Sequence, residues 1–307
     1  MSQNPDKSRN FFAATAVAAP SRAGLAAELG EILMSAGVQD AQLRRLADGA
    51  PWQACEYVFA ASEADLEGLH GPLKGLSGAD VALLRVEGRR KRLLISDMDS
   101  TIIGQECLDE LADFAGLKAE VSAITERAMR GELDFEGALT TRVGMLKGLE
   151  LSALEAAYKE RITLNPGART LTATMKANGA HAVLVSGGFM FFTSRVAVAS
   201  GFDAHRGNTL VDDGTVLTGE VGRPILGREA KLTALDETAA AHGLARADAL
   251  ALGDGANDLD MIRAAGLGIA YHAKPIVAEQ ATAAIQHTDL TAALFFQGYA
   301  ADEFVTG

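Results

Sequence analysis

From Leu93 onward the chain alternates short apolar runs with long stretches of helical periodicity. The runs LLIS (93–96), AVLVS (182–186), ALALG (249–253) and LGIAY (267–271) lack the apolar-polar alternation of a half-exposed strand. Strands of that kind are buried on both faces, so the pattern predicts an open parallel sheet wrapped by helices. Between the first and second runs lie about 80 residues, far more than one crossover helix needs. CLDELADFAG, VSAITERAMRG and LDFEGALTTRVGMLKG within that stretch read as amphipathic helices, which predicts a helical cap inserted at about 107–164. GNTLVDDGTVLTGEVG carries the Asp213-Gly214 turn of a hairpin.

The first 90 residues follow another grammar. A strand at 11–19, a helix at 22–36, two strands around DAQLRRLADGAPWQACEYVFA, a helix at 62–75 and a last strand in DVALLRVEG give the order βαββαβ. That order makes a small ferredoxin-like unit. Residues 1–90, with an N-terminal tail, are therefore expected to form one domain, and 91–307 the α/β core with its cap. The basic run Arg89-Arg90-Lys91-Arg92 at the junction reads as a solvated linker, with an anion-binding patch as the alternative. Trp52 and Cys55 fall in the strand pattern and read as packing residues. The start, KSRNFFAATAVAAPSRAG, superficially resembles a secretory leader, but its apolar run is short and mostly alanine, and a first strand is the expected use.

Composition narrows the partners. A formal charge of −12 argues against a protein that grips nucleic acid through a broad basic surface. An anionic substrate would need a local positive site, which a bound metal could supply. Two cysteines make no disulfide framework and fit a reducing compartment. No stretch approaches the roughly 18 apolar residues of a membrane span, so a cytoplasmic protein is expected. The six histidines are scattered without metal-ligand spacing, and none is assigned a catalytic role.

Ligands on open parallel sheets gather at the carboxyl ends of the strands. Three of those ends are SDMDST, SGGF and GDGANDLD. Asp97 and Asp99 are same-side neighbours wherever the strand stays extended, and like charges that close need a cation between them or a shared proton. Asp254 and Asp258 add carboxylates from a second strand end, a donor set suited to Mg²⁺. Ser186-Gly187-Gly188 lets backbone N–H groups approach an anion, and Lys231, near the start of a helical pattern, suits phosphoryl oxygens. An aspartate in such a site can act as a nucleophile toward phosphorus. A phospho-accepting signalling receiver uses a similar set of groups, but Asp99 supplies an acid that would break the phosphoenzyme down, and the cap builds a closed site.

DMDST followed by SGG, a lysine and GDGAND resembles the haloacid dehalogenase superfamily of phosphohydrolases, with its Rossmann-like core. DMDSTIIGQECLDELA, TERAMRGELDFEGAL, VSGGFMFF and LGDGANDLDMIRAAGLGIAYHAKP resemble its phosphoserine phosphatase branch, from Leu93 to the C-terminus and with no departure at a catalytic position. The resemblance implies Mg²⁺-dependent hydrolysis of phosphoserine through an aspartyl-phosphate, the last step of serine biosynthesis. It implies Asp97 as nucleophile and Asp99 as proton carrier. Mg²⁺ would be held by the Asp97 carboxylate, the Asp99 backbone carbonyl and Asp254, with Asp258 steadying its waters. Ser186, Gly187, Lys231 and Asn257 would grip the phosphoryl group. Glu106 would meet the substrate ammonium, Arg142 its carboxylate, and Phe135 would pack beside it. The N-terminal unit resembles ACT-type modules, which implies serine sensing or a homodimer; a plain packing or oligomerisation unit is the alternative, since no sharp ligand motif stands in it.

Overall fold

The computed structural model describes residues 10–129 and 132–307. The expected tail at 1–9 and the Arg130-Gly131 step of the quoted cap motif lie outside the described residues.

In the first unit, β1 (Asn10–Ala18), α1 (Leu25–Ser35), β2 (Gln42–Ala47), β3 (Gln53–Ala61), α2 (Glu63–Lys74) and β4 (Ala79–Arg85) follow the expected order. The sheet runs β2-β3-β1-β4, antiparallel throughout, the ferredoxin-like arrangement of ACT-type modules. Alternation along β1 decides what each face covers: Phe12, Ala14, Ala16 and Ala18 meet Leu25, Leu29 and Leu33 of α1 and Leu66, Leu69 and Leu73 of α2. Val17, with Leu46, Ala54 and Ala82, packs instead into the main core of the molecule.

The larger unit holds a six-stranded parallel sheet in the order β12-β11-β10-β5-β6-β7, formed by β5 (Leu93–Ser96), β6 (His181–Phe189), β7 (Ala204–Asn208), β10 (Ala249–Gly253), β11 (Leu267–Tyr271) and β12 (Ala283–Ile285). The chain leaves β5 toward β6 and β7, then returns to β10 on its other side. The strand order reverses at β5, the kind of point at which open α/β sheets bind ligands beyond the carboxyl ends of their strands. Four helices separate β5 from the crossover helix α7 (Ala168–Ala177): α3 (Cys107–Phe114), α4 (Lys118–Met129), α5 (Phe135–Met145) and α6 (Leu151–Arg161). They form the cap. Its two ends meet at a neck where Ile103 bridges Leu164, Gly104 N–H donates to Thr163 O and Asn165 N–H donates to Ile102 O.

After β7, which α8 (Met190–Ser200) joins to β6, the predicted hairpin appears as β8 (Leu210–Asp212) and β9 (Leu217–Val221). It backs the cap: Leu217 and Gly148 or Leu149 exchange backbone hydrogen bonds, and Leu151 N–H donates to Thr215 O. The helices α9 (Arg228–Ala241), α10 (Leu259–Ala264), α11 (Pro275–Ala278) and α12 (Ala292–Phe296) complete the unit. Among the described residues no helix is long and apolar enough to cross a membrane.

The basic junction is only partly solvated: Arg90 and Arg92 are exposed, whereas Arg89 is not. Arg89 is buried with Glu56, which receives hydrogen bonds from Arg89 (2.6 and 3.1 Å), Arg44 (3.0 Å) and Thr15 (3.3 Å). Arg90 pairs with Glu303 and stacks on Tyr299, and Arg92 pairs with Asp248. On the opposite flank the buried Asp80 carboxylate accepts from the N–H groups of Gln286 (2.7 Å), His287 (3.1 Å) and Thr288 (2.9 Å) and from the Thr288 hydroxyl (2.5 Å). The solvated reading fails for Arg89 because its facing carboxylate, Glu56, comes from a distant segment.

Candidate active site

The period of β5 aims the first carboxylate. Leu93 and Ile95 face α9, packing with Ala234 and Leu235, and Asp97 inherits that parity. Its partner on α9 is Lys231, only 2% exposed, whose ammonium lies 2.7 Å from Asp97 and 2.5 Å from Asp258. Burial alone would lower the lysine pKa, yet Asp258 and Asp97 hold it above the ordinary value. The Asp258 Oδ2 atom accepts the backbone N–H groups of Asp254 (3.2 Å) and Gly255 (3.0 Å), which ties the turn after β10 to that ion pair.

Asp99 does not stay beside Asp97. The chain turns at Met98, whose carbonyl accepts from Thr101, Ile102 and Ile103, and Ser100 takes a left-handed backbone with φ 53°. That conformation costs a serine about 1–2 kcal/mol. The turn sends the Asp99 carboxylate toward the cap: Cys107 N–H donates to it at 2.8 Å and the Ser186 hydroxyl at 3.0 Å. Burial raises the Asp99 pKa against those two donors, so the group can hold a proton. The expectation of a shared face therefore holds for sequence spacing only.

On β6, Ser186 Oγ also accepts from Gly188 N–H at 2.8 Å. A Cβ on Gly188 would stand 2.8 Å from Asp99 Oδ2, and one on Gly187 would stand 3.0 Å from the Phe135 ring, so a side chain at either position would push on Asp99 or Phe135. Phe135, at the start of α5, thus rests on the loop where an anion would bind. Glu106 caps the approach to α3 and accepts from the Ser100 hydroxyl at 2.7 Å. Burial and the nearby Asp99 push its carboxyl up to about 8. Arg142 remains inside the cap, donating to Ala138 O (3.2 Å) and the Thr125 hydroxyl (2.9 Å), and has no carboxylate within 4 Å among the described residues. Asn257 is half-buried on the turn after β10 and makes no hydrogen bond with its side chain among the described residues.

Three carboxylates, Asp97, Asp254 and Asp258, offer oxygens within 4.8 Å of one another. Burial raises Asp97 well above the usual range and Asp254 to about 7, each with Asp258 adding to the rise and Lys231 opposing it. One ammonium does not neutralise three clustered acids, two of them buried, and a hard divalent cation fits this oxygen donor set.

Two residues that sequence reading passed over hold the site in shape. Asn208, 2% exposed at the end of β7, donates to Gly187 O (2.8 Å) and Leu226 O (3.2 Å) and accepts from Leu226 N–H (2.7 Å). It fastens the glycine loop to the segment that leads into α9 and Lys231. Asn165 donates to Thr101 O at 2.8 Å, tying the cap neck to the turn after β5. Asn208 sits beside the hairpin and Asn165 before a proline; neither lies in a charged motif, so no local signal marks them.

Asp97, Asp99, Lys231, the glycine loop after Ser186 and a carboxylate set able to hold a cation are gathered at the strand ends beside the cap. The family model of the haloacid dehalogenase-like hydrolases matches residues 94–263, and the chain belongs to that family. It is 48% identical over 204 residues to a phosphoserine phosphatase of Polaromonas sp., covering 65% of this chain and 86% of that protein. Its fold is similar to a haloacid dehalogenase family hydrolase of Salmonella enterica serovar Typhi, with TM-score 0.80, 28% identity, and 93% of this chain and 98% of the other covered. That coverage takes in the N-terminal unit as well as the core. A phosphoserine phosphatase structure described as a phospho-aspartyl intermediate analogue is 40% identical, with TM-score 0.63 over 67% of this chain and 98% of the other.

Proposed function

We propose that this hydrolase is a Mg²⁺-dependent phosphoserine phosphatase that releases L-serine and inorganic phosphate through an aspartyl-phosphate, the closing step of serine biosynthesis in the cytoplasm. The observation that carries the reading is that Glu106 and an Arg142 without a carboxylate partner among the described residues both lie within electrostatic reach of Asp99. A phosphorylated amino acid brings the complementary ammonium and carboxylate. The similarity to phosphoserine phosphatases supports the same substrate. Two buried, unpaired cysteines agree with a reducing compartment.

In the first half-reaction an Asp97 oxygen attacks phosphorus, the bond from phosphorus to the serine oxygen breaks, and Asp99 gives its proton to that oxygen. In the second, water attacks the same phosphorus, Asp99 takes the water proton, and the bond to Asp97 breaks to release phosphate. Lys231 opposes the burial that raises Asp97 and faces the phosphoryl oxygens, while Ser186 and the Gly187 N–H bind them, with Asn257 closing the pocket. Phe135 seals the loop against water. A bound Mg²⁺, for which Asp97, Asp254 and the Asp99 carbonyl would be ligands with Asp258 behind them, would supply positive charge to the phosphoryl group.

Phosphate release should be measured over phosphoserine, phosphothreonine, phosphoethanolamine and sugar phosphates, with and without a chelator. The expected result is selective, chelator-sensitive turnover of phosphoserine that Asp97→Asn abolishes in a folded protein. Comparable rates across the panel would sink the specific substrate, and substantial activity in Asp97→Asn would remove it as nucleophile.

A further inference from the structure

The cap contains a half-buried polar relay that the phosphoryl chemistry does not use. Asp109 on α3 accepts from the Ser122 hydroxyl (2.8 Å) and lies 3.3 Å from the Thr125 hydroxyl, both on α4. Thr125 is buried, and its Oγ1 also lies 3.1 Å from Val121 O and accepts from Arg142 at 2.9 Å. A hydroxyl has one proton to give, so Thr125 donates toward Asp109 or Val121 while its lone pair takes the guanidinium N–H. Ser122 fixes the far oxygen of Asp109, which leaves that carboxylate little freedom. The Nε atom of Arg142 donates to Ala138 O at 3.2 Å. The guanidinium is thus held at two nitrogens, and its Nη2 group has no partner among the described residues.

Arg142 and Asp109 make no ion pair, although Asp109 is the strongest charge acting on the arginine. Thr125 stands between them. A direct pair would satisfy the guanidinium within the cap and leave nothing for a ligand. With the hydroxyl interposed, Asp109 keeps the buried cation favourable at a distance, and the free edge stays available for a planar anion.

We propose that Thr125 is a specificity-determining positioning residue: held between Val121 and Asp109, its hydroxyl aims the Arg142 guanidinium at a substrate carboxylate and prevents it from pairing with Asp109. This rests on the reading of the substrate as a phosphorylated amino acid.

The test compares Thr125→Val, Thr125→Ala and Thr125→Ser, each checked for folding by thermal melting. O-phospho-L-serine is set against phosphoethanolamine, which has the ammonium and phosphate but no carboxylate. Removing the hydroxyl should raise KM for phosphoserine about tenfold, the factor expected for one hydrogen bond to a charged group, with kcat within about twofold. Phosphoethanolamine kinetics should not move, and Thr125→Ser should match the wild type. Equal losses on both substrates, an unchanged KM for phosphoserine, or a serine variant as impaired as valine would overturn the proposal. A wild type that does not hydrolyse phosphoserine would sink the functional reading instead. In that case guanidinium ¹⁵N NMR decides the positioning alone: restricted Arg142 rotation in the wild type that is lost in Thr125→Ala supports it, and the same rotation in both overturns it.

Discussion

Replacing Lys231 by methionine keeps most of the side-chain volume and removes the one ammonium between Asp97 and Asp258. At 2.7 and 2.5 Å, each contact carries about 6 kcal/mol of gross attraction at an effective dielectric near 20. Desolvation offsets much of that, and breaking a buried pair costs about 3–5 kcal/mol. No discount for solvent screening applies, because Lys231 is 2% exposed and Asp97 5%. For a unit of this size the cost corresponds to a melting temperature lower by about 6–20 °C.

The pH dependence separates charge from packing. Folded Asp97 already titrates well above its unfolded value of about 3.9, and loss of the lysine raises it further. Between the wild-type and the variant folded values only the variant's native state binds more protons than its unfolded chain, so only the variant loses stability as pH rises there. Thermal melts of chelator-treated wild type and variant should therefore show a larger penalty at pH 8 than at pH 5. Added Mg²⁺ should recover part of it at pH 8 by binding the native state. An equal penalty at both pH values would mean that Lys231 acts through volume alone, and the electrostatic account of the site would be wrong.

Asn208→Leu should weaken inhibition by inorganic phosphate about tenfold or more and lower kcat, because the Gly187 and Leu226 peptides lose their shared partner; unchanged phosphate inhibition would deny it that role. Asp80→Ala removes the acceptor for the N–H groups of 286–288 and should cost about 2–3 kcal/mol, read as a lower melting temperature and earlier proteolysis between the two units. A melting curve identical to the wild type would count against that contact as a staple. Burial holds the Cys55 thiol up at about 11, and burial with Asp99 beside it raises Cys107, so neither should react with a thiol reagent at pH 8 until the protein is unfolded. Fast labelling of the native enzyme would refute the burial argument.

The sequence by itself determined the order of elements, the buried character of β5, β6, β10 and β11, the inserted cap and the strand ends that carry Asp97, Ser186 and Asp254. Those are local properties: period two in strands, period 3.6 in helices, and polar residues where apolar runs stop. Glu106 and Arg142 became legible only through likeness to family motifs, since on periodicity alone each is a helix charge. Tertiary structure decided the rest. Asp97 and Asp99 part company because the Met98 carbonyl gathers three N–H groups and ends the extended path. Lys231 finds Asp97 because β5 parity points at α9 only when α9 lies on that face of the sheet. Asn208, Thr125 and the pairing of Arg89 with Glu56 depend on segments that folding brings together from distant parts of the chain. A hydrogen bond across such a distance leaves no periodic trace, so residue type alone could not show which polar groups would meet.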